Sequence, residues 1–221
     1  MEKKKRRILI GVPCMDMVSA MFTQSLAMLQ RPKDCDVAIM LNIGSLVYDS
    51  RNQIAKAAIK MEADLVMWID SDMVFEPDTL VKLLADIDEG RDIVSALCFY
   101  RRPPYGPVGY TRLQVENDEI KEMEKITDYN AGEIIEMDAV GFGCVLMKAD
   151  PLYELAAGEW FMPTTWAGED CAFCVRAKKA GYSIYLDTNI KLGHMGYLPI
   201  TESYFRAAQK QMRTKEDADK G

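Results

Sequence analysis

The stretch Ala63-Asp64-Leu65-Val66-Met67-Trp68-Ile69-Asp70-Ser71-Asp72 decides the fold class of this chain. Five consecutive apolar residues, Leu65 to Ile69, predict a strand that is buried on both faces, as in a parallel sheet covered by helices. The strand then ends on two aspartates. Ligands of open α/β sheets collect just beyond the carboxyl ends of the strands, so Asp70 and Asp72 are candidate binding residues.

Two carboxylates this close together repel each other unless a cation or a hydrogen-bonding ligand offsets their charge. Mg²⁺ and Mn²⁺ suit such a place, because they keep an incomplete protein shell and accept phosphate oxygens as further ligands. The alternative is a helix-capping pair, since Asp72 is soon followed by Pro77 and a predicted helix.

Composition limits the class of protein. The chain has 221 residues, of which 49% are hydrophobic and 28% charged, as expected for one soluble globular domain. The formal net charge of -7 argues against sequence-independent binding to nucleic acid or to an anionic membrane. The apolar run after the basic N-terminus is too short for a signal peptide, and no 18-residue apolar segment exists. We therefore expect a cytoplasmic protein without a membrane span.

The six cysteines are spread through apolar segments, which predicts free thiols in a reducing compartment. Cys171 and Cys174 have the spacing of a metal or redox pair. However, no second pair completes a zinc site, and the two lie inside a predicted helix.

The first hundred residues alternate between predicted strands and helices. Strands are predicted at 7–12, 35–41, 65–69 and 92–99, with helices at 19–29, from Asp49 or Ser50 to about 61, and from Pro77 to Gly90. The βαβαβαβ order is typical of a Rossmann-like, mostly parallel sheet flanked by helices.

The second half is less regular. A Pro- and Gly-rich loop at 101–107 precedes short strands predicted over 108–137, which indicate a small antiparallel sheet. We further predict a strand at 137–147 interrupted by Gly141-Phe142-Gly143, helices at 150–157 and 169–180, and strands at 183–186 and 190–194. Trp160 and Trp166 are predicted to be exposed in a loop. The predicted domain spans 1–200, followed at 201–221 by an amphipathic helix, through which the chain could form a homo-oligomer, and a frayed charged tail.

Several short motifs follow one another in a fixed order. They are Ser50-Arg51-Asn52 at a predicted helix start, Asp70-Ser71-Asp72 after the buried strand, Gly141-Phe142-Gly143, Gly168-Glu169-Asp170 with Arg176 and Gly181 after it, and His194 after the last strand. In this order and spacing the chain resembles the family-2-like glycosyltransferases of the GT-A fold, from Ile8 to about Gly196.

The resemblance implies that the protein transfers a sugar from a nucleotide diphosphate, with UDP as the expected carrier. It implies that Asp72 and His194 bind Mn²⁺ or Mg²⁺ and that Asp70 reaches the ribose or the same ion. Asp170 and Glu169 would be the catalytic residues, with Asp170 as the base of an inverting displacement. The remaining expected substrate-binding residues are Pro13, Arg51, Asn52, Ser71, Gly141, Gly143 and Trp166.

The residues themselves support part of this assignment. Arg51 and Asn52 at a helix N-terminus would favour phosphate. Glycines such as Gly141 and Gly143 within a strand often mark the close approach of a ligand or of another backbone. Trp166 could stack on a sugar or serve in packing.

The chain also departs from the family pattern. The Gln-x-x-Arg-Trp signature of processive members is absent, because the C-terminal segment offers only Gln209 to Arg213 without a tryptophan. We therefore expect transfer of one sugar per encounter. The acceptor could be a glycan, a small molecule or a modified DNA base, since Arg101, Arg102 and Arg112 keep the last option open.

Two other classes of protein remain possible at this point. A nucleotidyltransferase would need a Gly-rich loop with basic residues after the first strand, which Gly11 to Asp16 lacks. A non-catalytic nucleotide-sugar binding module is the other alternative, although the presence of both aspartates, Asp170 and His194 argues against loss of activity.

Overall fold

The strand Leu65–Ile69 is buried along its whole length and lies inside a seven-stranded sheet. The computed structural model describes residues 5–44, 46–155, 160–196 and 202. Its helices are α1 (Ala20–Met28), α2 (Val47–Lys60), α3 (Thr79–Asp88), α4 (Asp150–Glu154) and α5 (Glu169–Lys179). Its strands are β1 (Arg6–Cys14), β2 (Cys35–Ile43), β3 (Leu65–Ile69), β4 (Met73–Val74), β5 (Ile93–Leu97), β6 (Gly109–Glu116), β7 (Glu119–Lys125), β8 (Ile134–Glu136), β9 (Ala139–Val140), β10 (Cys144–Lys148), β11 (Ile184–Lys191) and β12 (Gly193–His194).

The central sheet has the order β2-β1-β3-β10-β5-β11-β8. Strands β2, β1, β3, β5 and β11 run in one direction, while β10 and β8 run in the other. The expected α/β architecture with a mostly parallel central sheet is therefore confirmed. Small antiparallel sheets, β7-β6-β9 and β12-β4, complete it.

We expected the first four predicted strands to be neighbours in a parallel sheet, and this prediction is wrong in one respect. Strand β10 inserts antiparallel between β3 and β5, pairing Val145 with both Trp68 and Ser95. The residues from Cys144 to Met147 are all buried, so this strand can occupy the centre of the sheet. The local pattern of β10 predicts its burial but carries no information about its neighbours.

The strand predicted at 137–147 is also divided. Residues Ala139–Val140 belong to the small sheet, whereas Cys144–Lys148 belong to the central one. The Gly141-Phe142-Gly143 segment connects the two sheets. Its glycines permit close packing at this connection. A Cβ atom at Gly143 would lie 2.5 Å from Cε of Met73. Likewise β11 continues to Lys191, where two separate strands were predicted.

Helix α3 shows why the amphipathic pattern was informative. Leu80, Leu83, Leu84 and Ile87 are all buried against the sheet, as expected from their spacing. Gly90, with φ of 99°, follows the helix in the left-handed conformation that glycine adopts at low cost.

The other face of the sheet carries an aromatic cluster. Phe161 stacks on Phe173 with 4.6 Å between ring centroids and lies 4.7 Å from Trp68. The predicted exposure of Trp160 is wrong, because its side chain is only 2% exposed and its indole N–H donates to the carbonyl of Leu152 at 3.0 Å. A tryptophan can be buried in this way when its one polar atom has a partner.

Within the described residues no helix is long and apolar enough to span a membrane. All six cysteines are free thiols, and Cys171 and Cys174 lie in α5 as predicted. The C-terminal helix proposed at 201–213, with its suggested role in oligomerisation, lies outside the described residues apart from Glu202.

Candidate active site

Asp70, Ser71 and Asp72 form the turn that follows β3. The N–H of Asp70 donates to the carbonyl of Gly143 at 3.0 Å, and the N–H of Met73 donates to the carbonyl of Asp70 at 3.1 Å. Met73 then pairs with His194 through the short β4-β12 ladder. The ladder brings the end of the last strand beside the two aspartates.

The side chains of Asp72 and His194 meet at this point. Nε2 of His194 lies 3.4 Å from Oδ2 of Asp72. Nδ1 of the same ring lies 2.7 Å from the carbonyl oxygen of Phe99, which can only accept, so Nδ1 carries the hydrogen. In the neutral ring Nε2 therefore presents its lone pair towards the carboxylate. This is how metal-binding histidines are commonly oriented.

Arg101 supplies a cation beside the same carboxylate. Its Nη1 lies 2.8 Å from Oδ2 of Asp72, and its side chain is 49% exposed. Arg101 comes from the loop after β5, where the sequence indicated only a possible contact with DNA. Its adjacency to Pro103 and Pro104 indicated a loop, but no local signal predicted which carboxylate it would meet.

Arg51 occupies the interior behind the aspartates. Helix α2 begins at Val47, not at Asp49 or Ser50 as predicted, so Arg51 lies in the second turn and not at the helix N-terminus. Its guanidinium donates to Oδ1 of Asp70 at 2.8 Å and to Oε1 of Glu169 at 2.6 Å, and its residue exposure is 2%. Arg51 therefore joins the carboxylate of Asp70, at the end of β3, to that of Glu169, at the start of α5.

Burial and charge compete in this buried group. Burial lowers the pKa of Arg51, but the charges of Asp70 and Glu169 raise it above its ordinary value. Burial raises the pKa of Asp70 and of Glu169 by more than the guanidinium lowers them. The guanidinium of Arg51 thus favours the charged form of both carboxylates, against the effect of burial.

Asp170 lies at the first turn of α5, next to Glu169. Its Oδ1 accepts the N–H of Cys171 at 2.7 Å. A carboxylate at a helix N-terminus is favoured by the helix dipole. The two neighbours differ in their contacts, because Glu169 pairs with Arg51 whereas Asp170 lines a cavity.

A cavity of about 190 Å³ opens above the strand-end aspartates. Four of its lining residues are ones that the sequence predicted as substrate-binding or metal-binding: Pro13, Asp70, Ser71 and Asp72. The structure adds Cys14, Met15, Gly44, Val47 and Ser50 to this lining. We call this space the aspartate cavity.

A second cavity of about 360 Å³ lies on the side of Asp170. Trp166 lines it together with Tyr100 and Tyr110. We call it the aromatic cavity. The structure thus places Trp166 with Asp170 and not with the strand-end aspartates.

The remaining predicted residues lie behind the two cavities. Oδ1 of Asn52 accepts the N–H of Phe161 at 3.0 Å, which ties α2 to the segment before α5. A Cβ at Gly141 would lie 2.6 Å from Cγ1 of Val108 and 3.8 Å from Oδ2 of Asp170. Gly141 and Gly143 thus allow close packing at positions that border the site.

The side chains available as metal ligands suit an ion that takes most of its other ligands from a bound phosphate and from water. Among the described residues no group of three or more His, Cys, Asp or Glu side chains is arranged to hold a metal. Asp72 and His194 offer one carboxylate and one imidazole, and Mn²⁺ or Mg²⁺ would need further ligands from water or phosphate. The pair fits such an ion because a cation would relieve the repulsion between the carboxylate and the nitrogen lone pair.

The chain matches no known protein family and no curated protein sequence. Its fold does match solved structures. The structure of A197 from STIV superposes with a TM-score of 0.63 at 18% identity, covering 87% of this chain and 86% of that one.

Two glycosyltransferases share the fold as well. GalNAc-T7, crystallised with UDP, GalNAc and Mn²⁺, matches with a TM-score of 0.60 at 11% identity, and S. aureus TarS 1-349 with a TM-score of 0.51 at 17% identity. They cover 90% and 83% of this chain, which spans only 45% and 58% of theirs. At these identities the likeness shows the fold alone. The chain therefore has a glycosyltransferase-like fold of the GT-A kind.

Proposed function

We propose that this protein is a metal-dependent glycosyltransferase that moves one sugar from a nucleotide diphosphate to an acceptor hydroxyl. The observation that carries the proposal is the meeting of Asp72 and His194 at the sheet edge, 3.4 Å apart, beside a cavity and within reach of a third group, Arg101. The shared fold with GalNAc-T7, crystallised with UDP and Mn²⁺, makes UDP the first nucleotide to test.

The donor would bind in the aspartate cavity. Pro13 and Ser71 would line the nucleoside end, and Asp70 would accept a hydrogen bond from ribose or reach the same ion as Asp72. Mn²⁺ or Mg²⁺ held by Asp72 and His194 would act as a Lewis acid that stabilises the charge of the departing diphosphate. Arg101 would release Asp72 and turn its guanidinium to a phosphate oxygen, since the same fork serves both anions.

Asp170 is proposed as the general base. The acceptor hydroxyl would attack the anomeric carbon as the bond from that carbon to the phosphate oxygen breaks. The hydroxyl proton would pass to the Asp170 carboxylate. With one base and no carboxylate nucleophile, the reaction is a single displacement with inversion. Glu169, held on Arg51, is a positioning residue that keeps the α5 N-terminus against Asp70.

The experiment follows donor hydrolysis and transfer with UDP-sugars and Mn²⁺, and reads the product anomer by NMR. Asp170→Asn should lower kcat by about 10²- to 10⁴-fold, the usual contribution of a general base. UDP affinity in the presence of Mn²⁺ should stay unchanged, because Asp170 is not part of the aspartate cavity.

Four results would reject the assignment. Retention of anomeric configuration would remove Asp170 from the base role, and metal-independent UDP binding would remove Asp72 and His194 from the metal role. Release of pyrophosphate from a nucleoside triphosphate and a sugar phosphate would identify a nucleotidyltransferase. Binding without any turnover would identify a non-catalytic module.

A further inference from the structure

The aromatic cavity lies beside the proposed catalytic base but apart from the proposed donor site. Asp170, Tyr100, Tyr110 and Trp166 line it, and it shares no lining residue with the aspartate cavity. The Arg51 guanidinium, paired with Asp70 and Glu169, lies between the two groups of carboxylates. An acceptor in the aromatic cavity would therefore approach Asp170 from its own opening.

The far wall of this cavity is apolar and comes from the β6-β7 hairpin. Leu113, Ile120 and Met123 line it. Ile120 is 38% exposed and Met123 is 53% exposed, and every residue of β7 is exposed to solvent. Ile120 and Met123 are the two apolar side chains of a strand whose other five residues are charged, and both line this wall of the cavity.

A β-bulge directs both side chains to the same side. Ile120 pairs with Val115 and Met123 with Leu113, while Glu122 pairs with Gln114, so Lys121 is an extra residue in β7. Residues three apart in a regular strand point to opposite faces, and the bulge at Lys121 reverses that alternation. Ile120 and Met123 consequently face one cavity together.

The β6-β7 hairpin carries a net negative charge, which limits the kind of molecule that could bind beside it. Residues 109–125 carry five acidic and three basic side chains, and two of the basic ones pair with glutamates, Arg112 with Glu122 and Lys121 with Glu119. The third, Lys125, lies 5.4 Å from the ring centroid of Tyr100 and 5.7 Å from that of Tyr110. This acidic surface disfavours a polyanion such as modified DNA.

We propose that the aromatic cavity binds the acceptor as an uncharged glycoside with an apolar aglycone. Its sugar ring would lie on the tyrosine and tryptophan rings with one hydroxyl at Asp170, and its aglycone would lie against Ile120 and Met123. The inference rests on the proposed function for the role of Asp170, but binding to the cavity can be measured without it.

The test uses alkyl β-glucosides from methyl to octyl, below their micelle concentrations. Each methylene that becomes buried should tighten binding by up to about fourfold. Binding is followed by the fluorescence of Trp166, with and without UDP and Mn²⁺, since Trp68 and Trp160 are buried away from the cavity. Transfer is measured in parallel as KM against chain length.

Met123→Ser and Ile120→Ser test the wall directly. Each should weaken octyl glucoside binding by at least about fivefold while leaving methyl glucoside and UDP binding unchanged. Met28→Ser is the matched control, because Met28 is 57% exposed on α1 and lines neither cavity. It should change none of these values.

The two proposals fail in distinguishable ways. If glucoside binding rises with chain length and depends on Met123, but no sugar is transferred from any donor, the cavity assignment stands and the enzymatic function fails. If donor hydrolysis occurs while affinity is independent of chain length, or a single-stranded DNA oligonucleotide displaces octyl glucoside from the cavity, the acceptor inference is overturned.

Discussion

Nε2 of His194 lies 3.4 Å from Oδ2 of Asp72, and the opposite ring nitrogen is held by the carbonyl of Phe99. The β4-β12 ladder produces this arrangement by pairing Met73 with His194. A carboxylate oxygen and a nitrogen lone pair that face each other need a proton or a metal cation between them. The ring is fixed in the orientation that a metal ligand requires.

His194→Ala and Asp72→Asn should each weaken UDP binding in the presence of Mn²⁺ by at least about tenfold, because each removes one of the two proposed metal ligands. Without Mn²⁺ the His194→Ala variant should bind UDP as the parent protein does. Calorimetry with and without the metal measures both values. Asp78→Asn, an exposed carboxylate paired with Lys82, is the control. Equal losses with and without Mn²⁺ would contradict the metal assignment.

Arg101→Ala should have two opposite effects. Removing the guanidinium that lies 2.8 Å from Asp72 removes a competing cation, so the affinity of the nucleotide-free protein for Mn²⁺ should rise. Metal-free UDP affinity should fall, because a phosphate-binding cation is lost. Mn²⁺ titrations followed by electron paramagnetic resonance and UDP calorimetry check the two directions. Arg102→Ala, at the exposed neighbouring position, should change neither.

Arg51→Met should lower the free energy of unfolding by about 3–5 kcal/mol, because it leaves two partly buried carboxylates without their cation. Urea denaturation at pH 7 measures the loss. Arg112→Met breaks only an exposed pair with Glu122 and should cost no more than about 1 kcal/mol. Similar losses in the two variants would show that Arg51 has no special structural role.

The effect of Arg51→Met should also depend on pH. Protonation removes the charges of Asp70 and Glu169, whose pKa values burial already raises. The stability difference from the parent protein should therefore shrink as the pH falls towards 4. A difference that stays constant with pH would assign the loss to packing against Phe142, whose ring centroid lies 5.5 Å from the guanidinium.

Asp86 and Asp187 form a second acidic pair, away from both cavities, and we expect it to make stability depend on pH. Burial, and then the charge of Asp187, raises the pKa of Asp86 to about 6, although Arg91 lies 2.9 Å from it. The unfolded chain loses this proton at lower pH than the folded one. The contribution of Asp86 to stability is therefore complete below its unfolded pKa and is lost as the pH rises through about 6.

Asp86→Asn should remove this loss of stability at rising pH. In the parent protein the group should lower the free energy of unfolding by up to about 3 kcal/mol between pH 4 and pH 8, since each pH unit between the unfolded and the folded pKa contributes about 1.4 kcal/mol. The variant should gain stability relative to the parent as the pH rises across this range. Chemical denaturation at several pH values gives the slopes, and Asp78→Asn should keep the parental slope. A parental slope in Asp86→Asn would refute the assignment.

Local patterns in the sequence predicted most of the elements of the fold. The apolar run from Leu65 to Ile69 and the spacing of Leu80, Leu83, Leu84 and Ile87 correctly predicted a central strand and an amphipathic helix. Such patterns work because burial on one face or two is decided within a few residues of chain. The position of Asp70 and Asp72 after a buried strand could be predicted from the sequence for the same reason.

The pairing of distant segments was not readable in this way. No local pattern shows that β10 inserts between β3 and β5, that Lys121 is bulged, or that Trp160 finds the carbonyl of Leu152. The start of α2 was misjudged because Asp49 and Ser50 are good capping residues, whereas Leu46 precedes the helix without a side-chain cap.

The sequence by itself therefore determined the kind of fold and offered the chemical groups of the candidate site. Only the tertiary structure decided that Arg51 joins Asp70 to Glu169, that Arg101 and His194 meet at Asp72, and that the hairpin closes a cavity beside Asp170. The physical reason is that strand pairing and side-chain contacts between distant segments depend on the packing of the whole chain, while propensity and periodicity report only on neighbours in sequence.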